Sequence, residues 1–579
     1  MFGWHKSPMA VKSGPNGDPP ERSLPTPDEK SPNSTMLPLI SKRPVINSTL
    51  LAVLVALYLL GVANLTFWKE AWIGFANPVG FVAFAIATLA IFIGVMVGLS
   101  FKYVAKPLYI FAILSSSAAS YFTDTFGTII NANMIENVLQ TNSGEGGEFF
   151  TVNLLLHVLG FGILPCLLIA WVRVDYGGLA SRLRFNVAVL AAMGVIAGAL
   201  IGAQLSDVKA AVRRDFHVMT GALNPAGPVS SVIKVAVAAF RNRNAVRAPF
   251  GDDAKKGAWL AVKRKPVVAV IVAGESARAM NFSLNGYARN TNPELARRDV
   301  LNFSNVTSCG AETSISLPCM FSGYLRTEFS KDKALRRESL MDVFKHAGYD
   351  VNWWDNDSGS KGVADGVNYV SYMVKPDPDL CLSGTCQDDM FLGDLANLVV
   401  SAKQDTVVVL HQRGSHGPAY YLRYPDTFGP FKPDCRLYQP TDCSSEEIVN
   451  AYDNTIAYTD RFLARVIDLL TKHQDRVDGT MFYVSDHGES LGENGLYMHG
   501  AEYAIAPREQ THIPLIVWFS SDFAKLSGFD FACARARSAM PYSHDNVFDT
   551  LLGMLNVETR IYRAGLDIFS GCRAAEPRS

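Results

Sequence analysis

Two carboxylates and an imidazole, Glu275, Asp486 and His487, each stand directly after a short apolar run rich in β-branched or aromatic residues. The run 266–273 (PVVAVIVA) leads into Gly274-Glu275-Ser276, and the run 480–484 (TMFYV) leads into Ser485-Asp486-His487. Such a mixed oxygen and nitrogen donor set suits zinc or manganese. Taken alone, an Asp-His pair after a strand reads as a turn or a helix cap. What changes the reading is the segment 308–322, SCGAETSISLPCMFS. Its hydroxyls, Thr313 first among them, lie between Cys309 and Cys319 and can open a helix whose N-terminus favours phosphate. A hydroxyl is a weak nucleophile until a cation or a base lowers its pKa, so Thr313 makes chemical sense beside a metal.

These residues need a scaffold, and the sequence from 256 to 579 describes one. Short β-rich runs alternate there with helical patterns, which predicts an α/β domain with a mainly parallel sheet covered on both faces. Two more strands are expected, at 406–410 (TVVVL), running into His411-Gln412, and at 512–519. Ligands of open α/β sheets bind beyond the carboxyl ends of the strands, and three of these strands deliver polar groups there.

The chain has 579 residues, a net charge of -1 and 49% hydrophobic residues. It holds more than one domain, and its charge balance excludes a nucleic-acid binder. Its positive mean hydropathy comes from residues 45–206, where five runs, 45–67, 78–101, 107–125, 152–172 and 185–204, approach the ~20 apolar residues that span a bilayer. Lys42, Arg43, Lys102, Lys106, Arg173, Arg182 and Arg184 flank one side of these runs, and Lys69 is the basic residue of the opposite loops. The bias puts the N-terminus in the cytoplasm and the domain after the fifth span across the membrane. Residues 1–44 read as a disordered cytoplasmic leader, too long and polar for a signal peptide. Residues 207–255 read as a membrane-proximal linker, with amphipathic helices on the membrane surface as the other reading.

Eight of nine cysteines fall in the far-side domain. The close pairs Cys309/Cys319, Cys381/Cys386 and Cys435/Cys443 suggest disulfides in an oxidising compartment, with Cys533/Cys572 open as a fourth. Their spacings match no structural zinc site.

Together, Gly274-Glu275-Ser276, Thr313 with Ser316-Leu317-Pro318-Cys319-Met320-Phe321-Ser322, His411-Gln412-Arg413-Gly414-Ser415-His416-Gly417-Pro418 and Ser485-Asp486-His487-Gly488-Glu489-Ser490-Leu491-Gly492 closely resemble the lipid A phosphoethanolamine transferases. That family includes the plasmid-borne colistin-resistance enzymes, and the resemblance covers about residues 45–575. It implies an alkaline-phosphatase-like catalytic domain in the periplasm, carried by five transmembrane helices in a Gram-negative inner membrane. It implies transfer of phosphoethanolamine from phosphatidylethanolamine to a lipid A phosphate by a ping-pong route, and hence polymyxin resistance. Transfer of phosphoethanolamine or phosphoglycerol to core sugars or glucans is the alternative, since acceptor choice is not legible in these motifs. A sulfatase nucleophile sits in a Cys/Ser-x-Pro-Ser-Arg context, which Cys319 lacks.

The resemblance further implies that Glu275, Thr313, Asp486 and His487 bind zinc, with Thr313 also the nucleophile. His416 and His499 match residues that bind the transferred group or a second zinc, and either can protonate a leaving group. Lys361 and Glu489 match other active-site residues. Asn137, Thr141 and Glu145 match membrane-domain positions for the ethanolamine lipid. Asp357, in the Lys361 loop, departs from relatives that carry an amide there. His411 keeps the reading of an ordinary polar residue. A monomer working among membrane lipids is expected.

Overall fold

A computed structural model describes residues 43–140, 150–242, 246–261, 265–374, 377, 379–382 and 385–573. Residues from Val45 onward form one compact unit. Its first part is helical: α1 (Ser48–Val62), α2 (Leu65–Gly74), α3 (Pro78–Gly98), α4 (Ala105–Phe126), α5 (Ala132–Gln140), α6 (Val152–Trp171), α7 (Leu179–Ala203), α8 (Leu205–Ala222) and α9 (Ala226–Asn242).

The five expected spans are all helical, but they are not equivalent. Among the described residues α3, α6 and α7 are long and apolar enough to cross a bilayer, and α1 with α2 makes a fourth only as a pair bent by 68°. At ~1.5 Å per residue α1 alone measures about 22 Å, short of a ~30 Å hydrocarbon core. Helix α4 has the length at 22 residues but buries Ser116, Ser117, Ser120 and Thr123, which lowers its apolarity. Helix α6 contains a π turn over Leu159–Ile163 just before Pro165. Proline cannot donate to the carbonyl four residues back, and that carbonyl, of Phe161, accepts instead from the Tyr58 hydroxyl at 2.7 Å. Where the sequence left 207–255 between linker and amphipathic helix, α8 and α9 occupy most of it.

The second part is built on an eight-stranded sheet. In chain order the strands are β1 (Val267–Gly274), β2 (Leu301–Thr307), β3 (Asp350–Asp355), β4 (Asn368–Ser371), β5 (Thr406–His411), β6 (Asp478–Ser485), β7 (His512–Phe519) and β8 (Tyr542–Ser543). Their spatial order is β8-β2-β7-β6-β1-β5-β3-β4. From β6 to β4 neighbours pair in parallel, while β7 runs antiparallel to both β6 and β2. The continuous apolar run of β1 is explained by burial on both faces: Val267, Ala269, Ile271 and Ala273 join one core, Val268, Val270 and Val272 the other. The first core takes α10 (Thr313–Ser322) through Leu317, Met320 and Phe321, and the second takes the long α11 (Ser445–Lys472). Ser444 and Glu447 cap α11 reciprocally.

The three close cysteine pairs are bonded, Cys309–Cys319, Cys381–Cys386 and Cys435–Cys443, and so is the pair left open, Cys533–Cys572. Cys166 is buried in α6 as a free thiol.

Candidate active site and metal centre

Register decides which side chains meet. Ser485 pairs with Gly274, and His411 with Ala273, so Glu275, Asp486 and Gln412 leave the sheet side by side at its carboxyl edge. Ser276 adopts a left-handed φ of 56°, and its amide donates to Asp486 Oδ1 at 3.1 Å. The loop after β5 closes on the same point. Gly414 has φ +51°, and a Cβ there would stand 2.6 Å from the Glu275 carbonyl oxygen; a side chain at that position would therefore drive the two loops apart.

Thr313 is the first residue of α10, preceded by Glu312 in extended conformation. The Cys309–Cys319 bond ties the preceding loop to the helix, and Ser316 Oγ accepts from the Gly310 amide at 3.0 Å. Thr313 Oγ1 donates to Glu275 Oε2 at 3.0 Å and lies 3.3 Å from His487 Nε2. His487 Nε2 is in turn 3.5 Å from Glu275 Oε1 and 3.2 Å from Asp486 Oδ2. These groups are buried.

The arrangement fits a divalent cation. His487 Nδ1 donates to the Gly488 carbonyl at 2.8 Å, which leaves the Nε2 lone pair facing the carboxylates. Asp486 Oδ2 is buried with no hydrogen-bond partner among the described residues. Glu275 Oε1, Asp486 Oδ2 and His487 Nε2 so converge as acceptor atoms, an arrangement that costs free energy unless a cation joins it. Burial, together with the charges of Asp486 and Asp357, pushes the Glu275 carboxyl well up, and burial holds the His487 imidazole down.

Two further histidines line the same space. The His499 ring is centred 4.3 Å from that of His487 and 5.3 Å from that of His416. His499 Nδ1 bonds Glu489 Oε2 at 2.7 Å, and Tyr420 donates its hydroxyl to Glu489 Oε1 at 2.8 Å. Burial opposes protonation of His499, but Glu489 outweighs it and raises the imidazole. His416 goes the other way: burial and the nearby Arg413 and His499 hold it well below the ordinary range. Glu275, His416 and His499 also converge closely enough to hold a second cation.

Lys361 is buried in a left-handed backbone conformation, φ 52°, and donates to the Ser358 carbonyl at 2.8 Å. Burial lowers its pKa. His411 is fully buried, with Nδ1 2.9 Å from Asp355 Oδ2, and stands with Asp357 and Glu275 in another cluster of ligand-type atoms. Of the membrane-domain residues, Asn137 lies in α5, and Thr141 and Glu145 lie outside the described residues.

Three positions carried no sequence signal. Tyr420 supports Glu489. His544 bridges the loop before α10 and β6, accepting from the Cys309 amide and bonding the Ser485 carbonyl, each at 3.0 Å. Glu312 reaches the membrane domain, where Asn133 Nδ2 donates to it at 2.5 Å. Beside this contact a cavity of about 1310 Å³ separates the helical part from the sheet domain, and Thr66, Asn133, Ser231, Glu312, His499 and Tyr503 are among its lining residues.

The geometry agrees with comparisons to known proteins. Residues 268–557 match the sulfatase family, and residues 86–240 match the family described as phosphoethanolamine transferase EptA/EptB. The phosphoethanolamine transferase EptA of Escherichia coli (strain K12) is 36% identical over 93% of this chain and 99% of its own. Phosphatidylethanolamine transferase Mcr-1 of Escherichia coli is 38% identical over 80% of this chain and 88% of its own. The integral membrane lipooligosaccharide phosphoethanolamine transferase A of Neisseria meningitidis superposes with a TM-score of 0.86 at 33% identity, covering 92% of this chain and 99% of its own. With 36% identity to one such enzyme over 93% of the chain, and superposition on another over 92% of it, the chain belongs to the EptA family of membrane-embedded phosphoethanolamine transferases.

Proposed function

We propose that the protein transfers phosphoethanolamine from phosphatidylethanolamine to a phosphate group of lipid A through a phospho-Thr313 intermediate, on the periplasmic face of a Gram-negative inner membrane. The observation that carries this reading is the position of Thr313 Oγ1, 3.0 Å from Glu275 and 3.3 Å from His487. It stands at the start of a helix, and the Glu312 next to it lines a cavity shared with the membrane helices. Mcr-1, a phosphatidylethanolamine transferase, points to the donor, and a relative 28% identical over 76% of this chain, the Kdo(2)-lipid A phosphoethanolamine 7''-transferase of Escherichia coli (strain K12), points to an acceptor of the lipid A type.

Glu275, Thr313, Asp486 and His487 would hold zinc, which when bound lowers the pKa of the hydroxyl and offsets negative charge on the phosphoryl oxygens. In the first half-reaction Thr313 Oγ1 passes its proton toward Glu275 Oε2, its hydrogen-bond acceptor, and attacks the donor phosphorus; the Thr313–phosphorus bond forms and the bond to the diacylglycerol oxygen breaks. His499, raised by Glu489, delivers a proton to that oxygen. In the second, a lipid A phosphate oxygen attacks phosphorus and the threonine hydroxyl is regenerated. Neutral His416 is suited to hold a phosphoryl oxygen or to accept a proton. Each transfer adds a cationic group to lipid A, so polymyxin and colistin bind the outer membrane less tightly.

The test is expression of the full chain in a polymyxin-sensitive Gram-negative host, followed by lipid mass spectrometry. Lipid A gaining phosphoethanolamine is the expected result. Unchanged lipid A with folded, inserted protein overturns the acceptor assignment and redirects it to glycans.

A further inference from the structure

Glu312 is an expensive residue in its place. It is 7% exposed, and among the described residues its carboxylate has one hydrogen-bond donor, the Asn133 amide. The two cations whose fields reach it are both committed elsewhere, His499 to Glu489 and Lys331 to Glu136. A buried carboxylate held by a single neutral donor is costly unless a cation completes its surroundings. It is also the residue immediately before Thr313, and its backbone is extended, so α10 begins with the threonine and the carboxylate is set off from the helix. It lines the cavity together with Asn133 and His499, and its charge is felt at His499. The residue that precedes Thr313 thus brings a buried carboxyl group to the cavity shared with the membrane helices.

We infer that Glu312, held by Asn133, receives the ammonium of the ethanolamine arm, and so selects an amine-bearing head group over an uncharged one. This rests on the proposed transfer of phosphoethanolamine. Phosphorus on Thr313 Oγ1 carries a two-carbon arm ending in a primary ammonium with three N–H donors, and a carboxylate one residue away offers the complementary acceptors. A phosphoglycerol arm ends in hydroxyls and carries no charge. It leaves the buried carboxylate uncompensated, which is how a site built for a charged partner rejects a neutral one. Asn133 comes from the helical domain, so the pocket is complete only when the two domains meet.

The test uses full-length protein in detergent micelles with two donors, phosphatidylethanolamine and phosphatidylglycerol, and measures diacylglycerol release in wild type and Glu312→Gln. The readout is the ratio of kcat/KM for the two donors within one preparation, which is independent of how much of it is folded. Wild type is expected to favour phosphatidylethanolamine, and Glu312→Gln to reduce that preference at least tenfold. Calorimetric binding of O-phosphoethanolamine against glycerol 1-phosphate gives the same ratio without turnover. A preference that Glu312→Gln leaves unaltered, including loss on both donors alike, overturns the assignment of Glu312 while leaving the transfer reaction standing. A wild-type protein that takes neither donor removes the proposed function itself.

Discussion

At the scale of single residues the site works through opposed electrostatics on neighbouring side chains. Glu489 holds His499 toward its charged form while His416, without a carboxylate on its buried Nδ1, stays neutral. Replacing Glu489 by Gln removes that charge and lowers the His499 pKa. The alkaline limb of the kcat–pH profile is then expected to move to lower pH, and turnover at pH 7.5 to fall about 10- to 100-fold; an unshifted limb contradicts the proton-donor role. His544 gives a stability signature of the opposite kind. Burial depresses it to about 4, and its two ring nitrogens already serve the Cys309 amide and the Ser485 carbonyl. The unfolded chain binds the proton from about pH 6.5 downward and the folded chain only near 4, so stability is full above the first value and lost as pH falls toward the second, by up to ~3 kcal/mol. Melting temperatures of wild type and His544→Gln between pH 7.5 and 4.5 check this, and the variant is expected to lose less on acidification.

At the scale of elements, legibility followed from whether a residue's partner lies at the end of a readable strand. Glu275 and Asp486 each close an apolar run, and parallel pairing of β1 with β6 brings them together, so strand patterning alone nominates them. Tyr420 and His544 depend on where loops return after long excursions, and no local period encodes that. Lys361 was readable as a motif position but not as a buried side chain, because burial of a loop lysine is decided by what packs over it. Helix α10 shows how the covalent frame supports the site. Its disulfide spans 10 residues around the loop that carries Thr313, and by loop entropy contributes about 3 kcal/mol. Replacing Cys309 and Cys319 by serine is expected to lower the melting temperature and transfer activity together; full activity with a lowered melting point alone would show that the loop keeps its geometry without the bond.

At the scale of the molecule, the two domains are held in register by polar contacts as well as by apolar packing. Gln439, within the loop closed by Cys435–Cys443, accepts from Tyr121 of α4 at 3.0 Å and from Asn153 of α6 at 3.1 Å. Gln439→Ala removes both bonds. It is expected to raise KM for a lipid donor several-fold while sparing hydrolysis of a small soluble phosphodiester, because only the lipid needs the membrane-side path. Equal losses on both would place Gln439 in support of the catalytic domain itself. The division into membrane and sheet domains was legible from apolar run length and strand alternation. The bend between α1 and α2 was not, because it depends on what packs against the break, whereas the serines that set α4 apart stand in the sequence. The central claim is that Thr313 carries the transferred group, and intact-mass spectrometry of the full-length protein incubated with phosphatidylethanolamine tests it most directly. A phosphoethanolamine adduct that maps to Thr313 in wild type and is absent from Thr313→Ala is expected; an adduct that persists in the variant, or maps to another residue, overturns the assignment.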